Sequence, residues 1–145
     1  MSVTGVDGAQ GGQQVDVHRL VHNVDRQGFV ELDKVGLRGQ VDQGLVCPLI
    51  NPDLSGSTDL NVSWGRILPG QHHLKHHHPD ASEFYVVIAG SPLVHLGDED
   101  VRAHPRDAIY IPAGVTHGIT NDSAETVDLV VGMSVPTGWQ FVPDE

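Results

Sequence analysis

From Val15 onward the chain runs in short apolar stretches broken by turn residues: Arg19-Leu20-Val21, Gly28-Phe29-Val30 and Gly44-Leu45-Val46-Cys47, then a turn-rich patch from Asn51 to Gly56. Leu60, Val62 and Trp64 alternate with Asn61 and Ser63 before the stop at Pro69-Gly70. A period of two marks a strand with one wet face and one buried face, and it points Trp64 inward. The run from Glu83 to Ile88 is apolar on both parities, as expected of a strand covered on both sides by another layer or subunit. Further short strands are expected at 93–96, 100–103, 108–112, 117–121 and 126–133, each bounded by Gly, Pro, Asp or Asn. Helical spacing is hard to find anywhere. Evenly spaced short strands with turn signals predict an all-β sandwich or barrel. Residues 1–15, rich in Gly and Gln, carry no periodic apolar signal and are expected to form a flexible N-terminal arm, leaving 16–145 as a single domain.

Composition narrows the partners. At 145 residues the chain is long enough to build one core of its own. Lys+Arg 8 against Asp+Glu 19 gives a formal charge of -11, so the cationic surface that nucleic acid or an anionic membrane requires is missing. Cys47 is the single cysteine and cannot form an internal disulfide; it is expected to be a small buried hydrophobe. The N-terminus does not resemble a signal peptide, and no apolar run approaches the roughly 20 residues of a membrane span. A cytoplasmic protein is expected.

The ten histidines change the picture. His72, His73, His76, His77 and His78 crowd into one mid-chain segment. Alternation along a strand puts His76 and His78 on one face, about 7 Å apart, so that both imidazoles can converge on one ion. Glu83 opens the following strand, and an antiparallel neighbour about 4.8 Å away can supply a further corner of the same site. His117 follows the tight turn Pro112-Ala113-Gly114-Val115-Thr116 at the head of another strand. His18, His22, His77, His95 and His104 have nothing to place them in a site and are expected to be solvated.

The two blocks, Gly70 to Gly90 with His76, His78 and Glu83 between them, and Pro112, Gly114, His117 and Asn121, resemble the two motifs of the cupin superfamily. The resemblance implies a single jelly-roll β-sandwich or barrel, with His76, His78, Glu83 and His117 as both metal ligands and catalytic centre for one divalent transition ion. His72 or His73 could instead replace Glu83 as the fourth ligand, leaving the carboxylate to shuttle protons. Arg106 stands where the second motif usually has glycine, and Pro105-Arg106 is expected to form a type I turn.

In such a barrel the lining chooses the substrate. Leu60, Val62, Trp64, Tyr85 and Ile119 are the expected substrate contacts, with Val87, Ile109, Ile111, Leu129, Val131 and Met133 as the other inward positions. A phosphosugar or dicarboxylate would need fixed cations, and only Arg66 and Arg102 lie on strands expected to border the cavity. The chain as a whole resembles the cupin-type cyclases of bacterial aromatic polyketide pathways. That resemblance implies Lewis-acid-assisted aldol cyclisation of a hydrophobic polyketide-like substrate in antibiotic biosynthesis, with zinc the first choice and Fe, Mn, Ni or Co admissible. A cupin dioxygenase acting on a hydrophobic diketone or aromatic molecule, and a non-catalytic small-molecule-binding cupin, are the alternatives. The doubly apolar strand and the loose arm also suggest a homodimer.

Overall fold

The computed structural model describes residues 14–145, so most of the expected N-terminal arm, residues 1–13, lies outside the described residues. Among the described residues three single-turn helices, α1 (Val17–Leu20), α2 (Val24–Gln27) and α3 (Pro52–Ser55), accompany eleven strands. None is long and apolar enough to cross a membrane. The short helices were not legible as periodicity, because four residues cannot display a 3.6-residue repeat. Their starts are chemical instead: the side chains of Asp16, Asn23 and Asn51 each accept a backbone N–H of the turn that follows. The patch at 51–56 is thus a capped helical turn ending at Gly56.

Six strands form one antiparallel sheet in the order β1 (Val30–Glu31), β2 (Leu45–Ile50), β3 (Asn61–Ile67), β10 (Val127–Met133), β5 (Glu83–Ala89) and β8 (Ala108–Ile111). Five form the other, in the order β11 (Val142–Pro143), β4 (His72–His77), β9 (His117–Thr120), β6 (Leu93–Leu96) and β7 (Glu99–Arg102). From β3 onward the chain changes sheet at every step except the β6–β7 hairpin. Ile67, Val87 and Leu129 from the first sheet and Val94 and Ile119 from the second bury their side chains in a common core. The all-β jelly-roll expectation holds. Cys47 is fully buried, as expected.

One local expectation is corrected and a second is narrowed to cover by a subunit. Asp107 N–H bonds the His104 carbonyl at 3.0 Å with Arg106 at φ 78, which is the left-handed third position of a type II turn rather than type I. That is why glycine is favoured there. The second concerns β5: its inner parity, Glu83, Tyr85 and Val87, is buried, but Phe84 and Ile88 on the outer parity remain 38% and 44% exposed, so no layer of the described chain covers that face.

Candidate metal centre

The site is assembled where the chain crosses between sheets. His76 and His117 pair directly across β4 and β9, His78 follows β4, and after a short turn Glu83 opens β5. The expectation that β5 is the antiparallel neighbour of β4 is corrected, since the chain crosses to the opposite sheet and Glu83 faces the histidines across the barrel. One ligating atom from each of the four residues lies within 4.8 Å of the others, and all four residues are buried.

Each imidazole is aimed by its other nitrogen. His76 Nδ1 donates to the Leu74 carbonyl at 2.6 Å, His78 Nδ1 to Gln140 at 2.7 Å and His117 Nδ1 to Val115 at 2.9 Å. A carbonyl can only accept, so Nδ1 carries the proton and every Nε2 presents a lone pair to the centre. Burial, with His117 nearby, pushes the His76 pKa down to about 2 and also lowers that of His78, keeping both rings neutral. His117 is pulled both ways: burial lowers its pKa, but the Glu83 carboxylate leaves it raised overall.

This donor set fits a cation. His117 Nε2 and Glu83 Oε1 lie 2.6 Å apart, yet both are buried without a properly directed hydrogen bond. An Nε2 this close to a carboxylate oxygen in a dry site needs a positive species between them, either the proton that Glu83 favours on His117 or a metal ion. Three neutral imidazoles and one carboxylate are a common set for first-row divalent ions, so His76, His78, Glu83 and His117 can hold one. His72 and His73 do not join the cluster. The His72 ring bonds Thr120 and Glu145, while His73 turns a buried, unpartnered Nε2 toward Gly44.

The centre forms part of the wall of a cavity of about 370 Å³. Tyr85, Val131 and Met133 line it, but Leu60, Val62, Trp64 and Ile119 do not. The expectation for these four is corrected by register. On β3 it is Asn61, Ser63 and Gly65 that border the cavity, so Val62 and Trp64 face the other way, Trp64 lying opposite Cys47 and Val130. Leu60 is 47% exposed, and Ile119 is sealed in the core. Apolar alternation finds a packed face, and here the packed face of β3 is not the one that borders the ligand space. Arg66 and Arg102 are also excluded, being paired with Asp128 and Asp122.

Sequence reasoning missed the C-terminal wall. Phe141 stacks on His76 with centroids 4.4 Å apart, Trp139 meets His78 edge-on at 5.1 Å, and β11 then pairs with β4. The available signal was Trp139-Gln140-Phe141, two of the few aromatics in alternation near the end of the sequence. It also missed Lys34 and Asp42, which together with His73, expected at the site only as an alternative ligand, make the lining more polar than expected. His95 is not solvated but 8% exposed, held by Asp100 and Thr120.

Two facing antiparallel sheets with three histidines and a glutamate converging inside them define a barrel built around a candidate metal centre. Residues 63–133 match the Cupin domain family, and the chain belongs to the cupins. Over 73 residues it is 29% identical to the Tetracenomycin polyketide synthase protein TcmJ of Streptomyces glaucescens, covering 50% of this chain and 49% of that protein. The chain spans about half the length of the curated relatives it matches. Among solved structures it is similar to a double-stranded β-helix protein of Klebsiella pneumoniae, with TM-score 0.67, 18% identity, and coverage of 92% of this chain and 99% of that one. It is also similar to a predicted oxalate decarboxylase of Thermotoga maritima, with TM-score 0.68, 16% identity, and coverage of 79% and 97% respectively. Identities this low speak to the fold alone.

Proposed function

We propose that this cupin catalyses intramolecular aldol-type cyclisation of a poly-β-ketone in aromatic polyketide biosynthesis, in the cytoplasm, with one divalent transition ion held by His76, His78, Glu83 and His117. The observation that carries the reading is the union of that cluster with a cavity of about 370 Å³ walled in part by Tyr85, Met133, Trp139 and Phe141. The similarity to TcmJ, a polyketide synthase protein by name, supports it. When bound, the ion supplies Lewis-acid polarisation of a ketone oxygen; zinc suits that role, and the same donors accept Fe, Mn, Ni or Co. The chain's own residues do the rest. The aromatic and aliphatic part of the wall, with Tyr85, Met133, Trp139 and Phe141, favours a folded, planar chain of ketones, and confinement brings nucleophilic and carbonyl carbons together.

The test is incubation of the metal-loaded protein with a poly-β-ketone generated in situ by a polyketide synthase. A cyclised product that disappears when the ion is stripped is expected. Retained cyclisation by the stripped protein overturns the reading, stoichiometric O₂ uptake replaces it with the dioxygenase reading, and saturable binding without product replaces it with a binding role. The same proposal includes a homodimer through the outer face of β5 and β8, where Phe84 pairs with Tyr110 and Phe84, Ile88 and Tyr110 are exposed. A monomer in sedimentation at micromolar concentration removes that part.

A further inference from the structure

A buried carboxyl group in the cavity has no part in the cluster described above. Asp42 is 8% exposed and lines the same space as His76, His78 and Glu83. The segment carrying it is held on both sides: Asp42 N–H donates to Lys34 at 2.8 Å, Gln43 N–H donates to His72, and Val35 bridges Val41. Asp42 Oδ1 accepts the Leu74 N–H at 2.7 Å, and the Leu74 carbonyl accepts from His76 Nδ1. One residue of β4 therefore fixes both the carboxyl group and a ring of the metal centre. The second oxygen, Oδ2, has no hydrogen-bond partner among the described residues, and it is not among the sealed, unsatisfied atoms.

Resting on the cyclisation reading, we propose that Asp42 is the catalytic base that takes the proton from the carbon between two ketones. In that step the Asp42 carboxylate removes one proton from the methylene, and the C–H electron pair becomes the enolate. The enolate carbon then bonds to a second carbonyl carbon of the same chain. The oxygen of that carbonyl receives the electron pair and takes the proton back from the Asp42 carboxylic acid, so the step needs no oxidant or reductant. A base must be ionised near neutral pH yet basic enough to take a proton. Burial pushes the Asp42 pKa up to about 6, against the lowering pull of the Leu74 N–H, with His72 and Lys34 lowering it and Glu145 raising it through space. Glu83 is less suited to this role, since its oxygen faces two imidazoles at the centre.

The experiment follows exchange of the methylene protons of 1-phenylbutane-1,3-dione for deuterium by NMR, using the metal-loaded protein. Wild type is expected to speed exchange over buffer, with a rate that rises as pH passes about 6. Asp42→Asn, which can keep the Leu74 hydrogen bond through its amide oxygen, is expected to lose about 100-fold of the protein's contribution and that pH limb. Metal content and diketone Kd are expected to stay within about two-fold of wild type, and Asp42→Glu is expected to restore part of the rate and the limb. Exchange at the wild-type rate with an unchanged pH profile in Asp42→Asn overturns the assignment of the base while leaving the cyclisation reading standing. Failure of the wild type itself to speed exchange of the bound diketone overturns both.

Discussion

The two faces of the five-stranded sheet carry the same side chain to opposite ends. On the inner face His76, His78 and His117 spend Nδ1 on backbone carbonyls and keep Nε2 free. On the outer face His72, His77 and His95 meet carboxylates, Glu145, Asp144 and Asp100, and Thr120 links His72 to His95. A histidine can serve as a ligand when its unpartnered nitrogen converges with others in a dry place; the buried Nε2 of His73, turned toward Gly44 and away from the cluster, does not qualify. A histidine becomes a fastener when an acid is there to meet it. The backbone supplies the first arrangement, and β11 with its acidic tail helps supply the second.

The sharpest break between the faces is in metal content. His76→Ala, His78→Ala or His117→Ala is expected to drop elemental analysis from about one ion per chain to background, because removing a direct ligand costs more than the ~10–100-fold typical of losing an orienting group. His72→Ala and His95→Ala are expected to retain the ion. Equal loss from both faces would erase the distinction.

A second measurement uses His73, which borders the cavity without serving as a ligand in the cluster. Burial lowers its pKa to about 4 from 6.5. Above pH 6.5 the folded and unfolded chains are both neutral there. Below it the unfolded chain takes a proton that the folded one refuses, so stability falls by ~1.4 kcal/mol per pH unit, approaching ~3 kcal/mol near pH 4. Asp42 acts with the opposite sign. Its folded pKa of about 6 lies above the ordinary 3.8, so the folded chain takes that proton first and gains stability as pH falls between the two. Urea unfolding at pH 7 and pH 4.5 is therefore expected to show a smaller acid loss for His73→Phe than for wild type, and a larger one for Asp42→Asn. Overlapping profiles for the two variants would mean that neither group titrates in the way its burial implies.

How much of this the sequence carried depended on whether a signal was local. His76, His78, Glu83 and His117 could be placed from strand parity and two motif blocks, and the strands from β5 to β10 fell close to their expected ranges. The substrate wall could not. Parity says which residues of β3 share a face, not which face borders the ligand, and at Trp64 hydrophobicity gave the wrong choice. Phe141 and Trp139 reach the site through a tertiary return of the chain that no local pattern encodes. Arg106 was legible as a departure but not as strain: its φ of 78 costs an L-residue roughly 1–2 kcal/mol. Arg106→Gly recovers only part of that, since glycine also loses more entropy on folding, so a gain of about 1 kcal/mol in urea unfolding is expected. Because this turn lies away from both sets of imidazoles, metal content should not change with it.

The smallest effect belongs to the outer face. Asp144 accepts from His77 Nδ1 at 3.0 Å and from the Thr116 hydroxyl at 2.7 Å, with its side chain 26% exposed. Partly solvated pairs of this kind contribute about 0–1 kcal/mol, so Asp144→Asn is expected to leave global stability within that range. Its consequence should be local, because Val142 pairs with His77 and the Asp144 N–H bonds the Lys75 carbonyl. Hydrogen exchange at Val142 and Asp144 is expected to quicken by up to about five-fold, the equivalent of ~1 kcal/mol, while the amides of β9 and β10 keep their protection. The ion should remain bound, since the rings of His76 and His78 are anchored by carbonyls and not by acids. If the ion is lost along with Asp144, the outer fasteners and the inner ligands form one cooperative unit, and the division between the two faces fails.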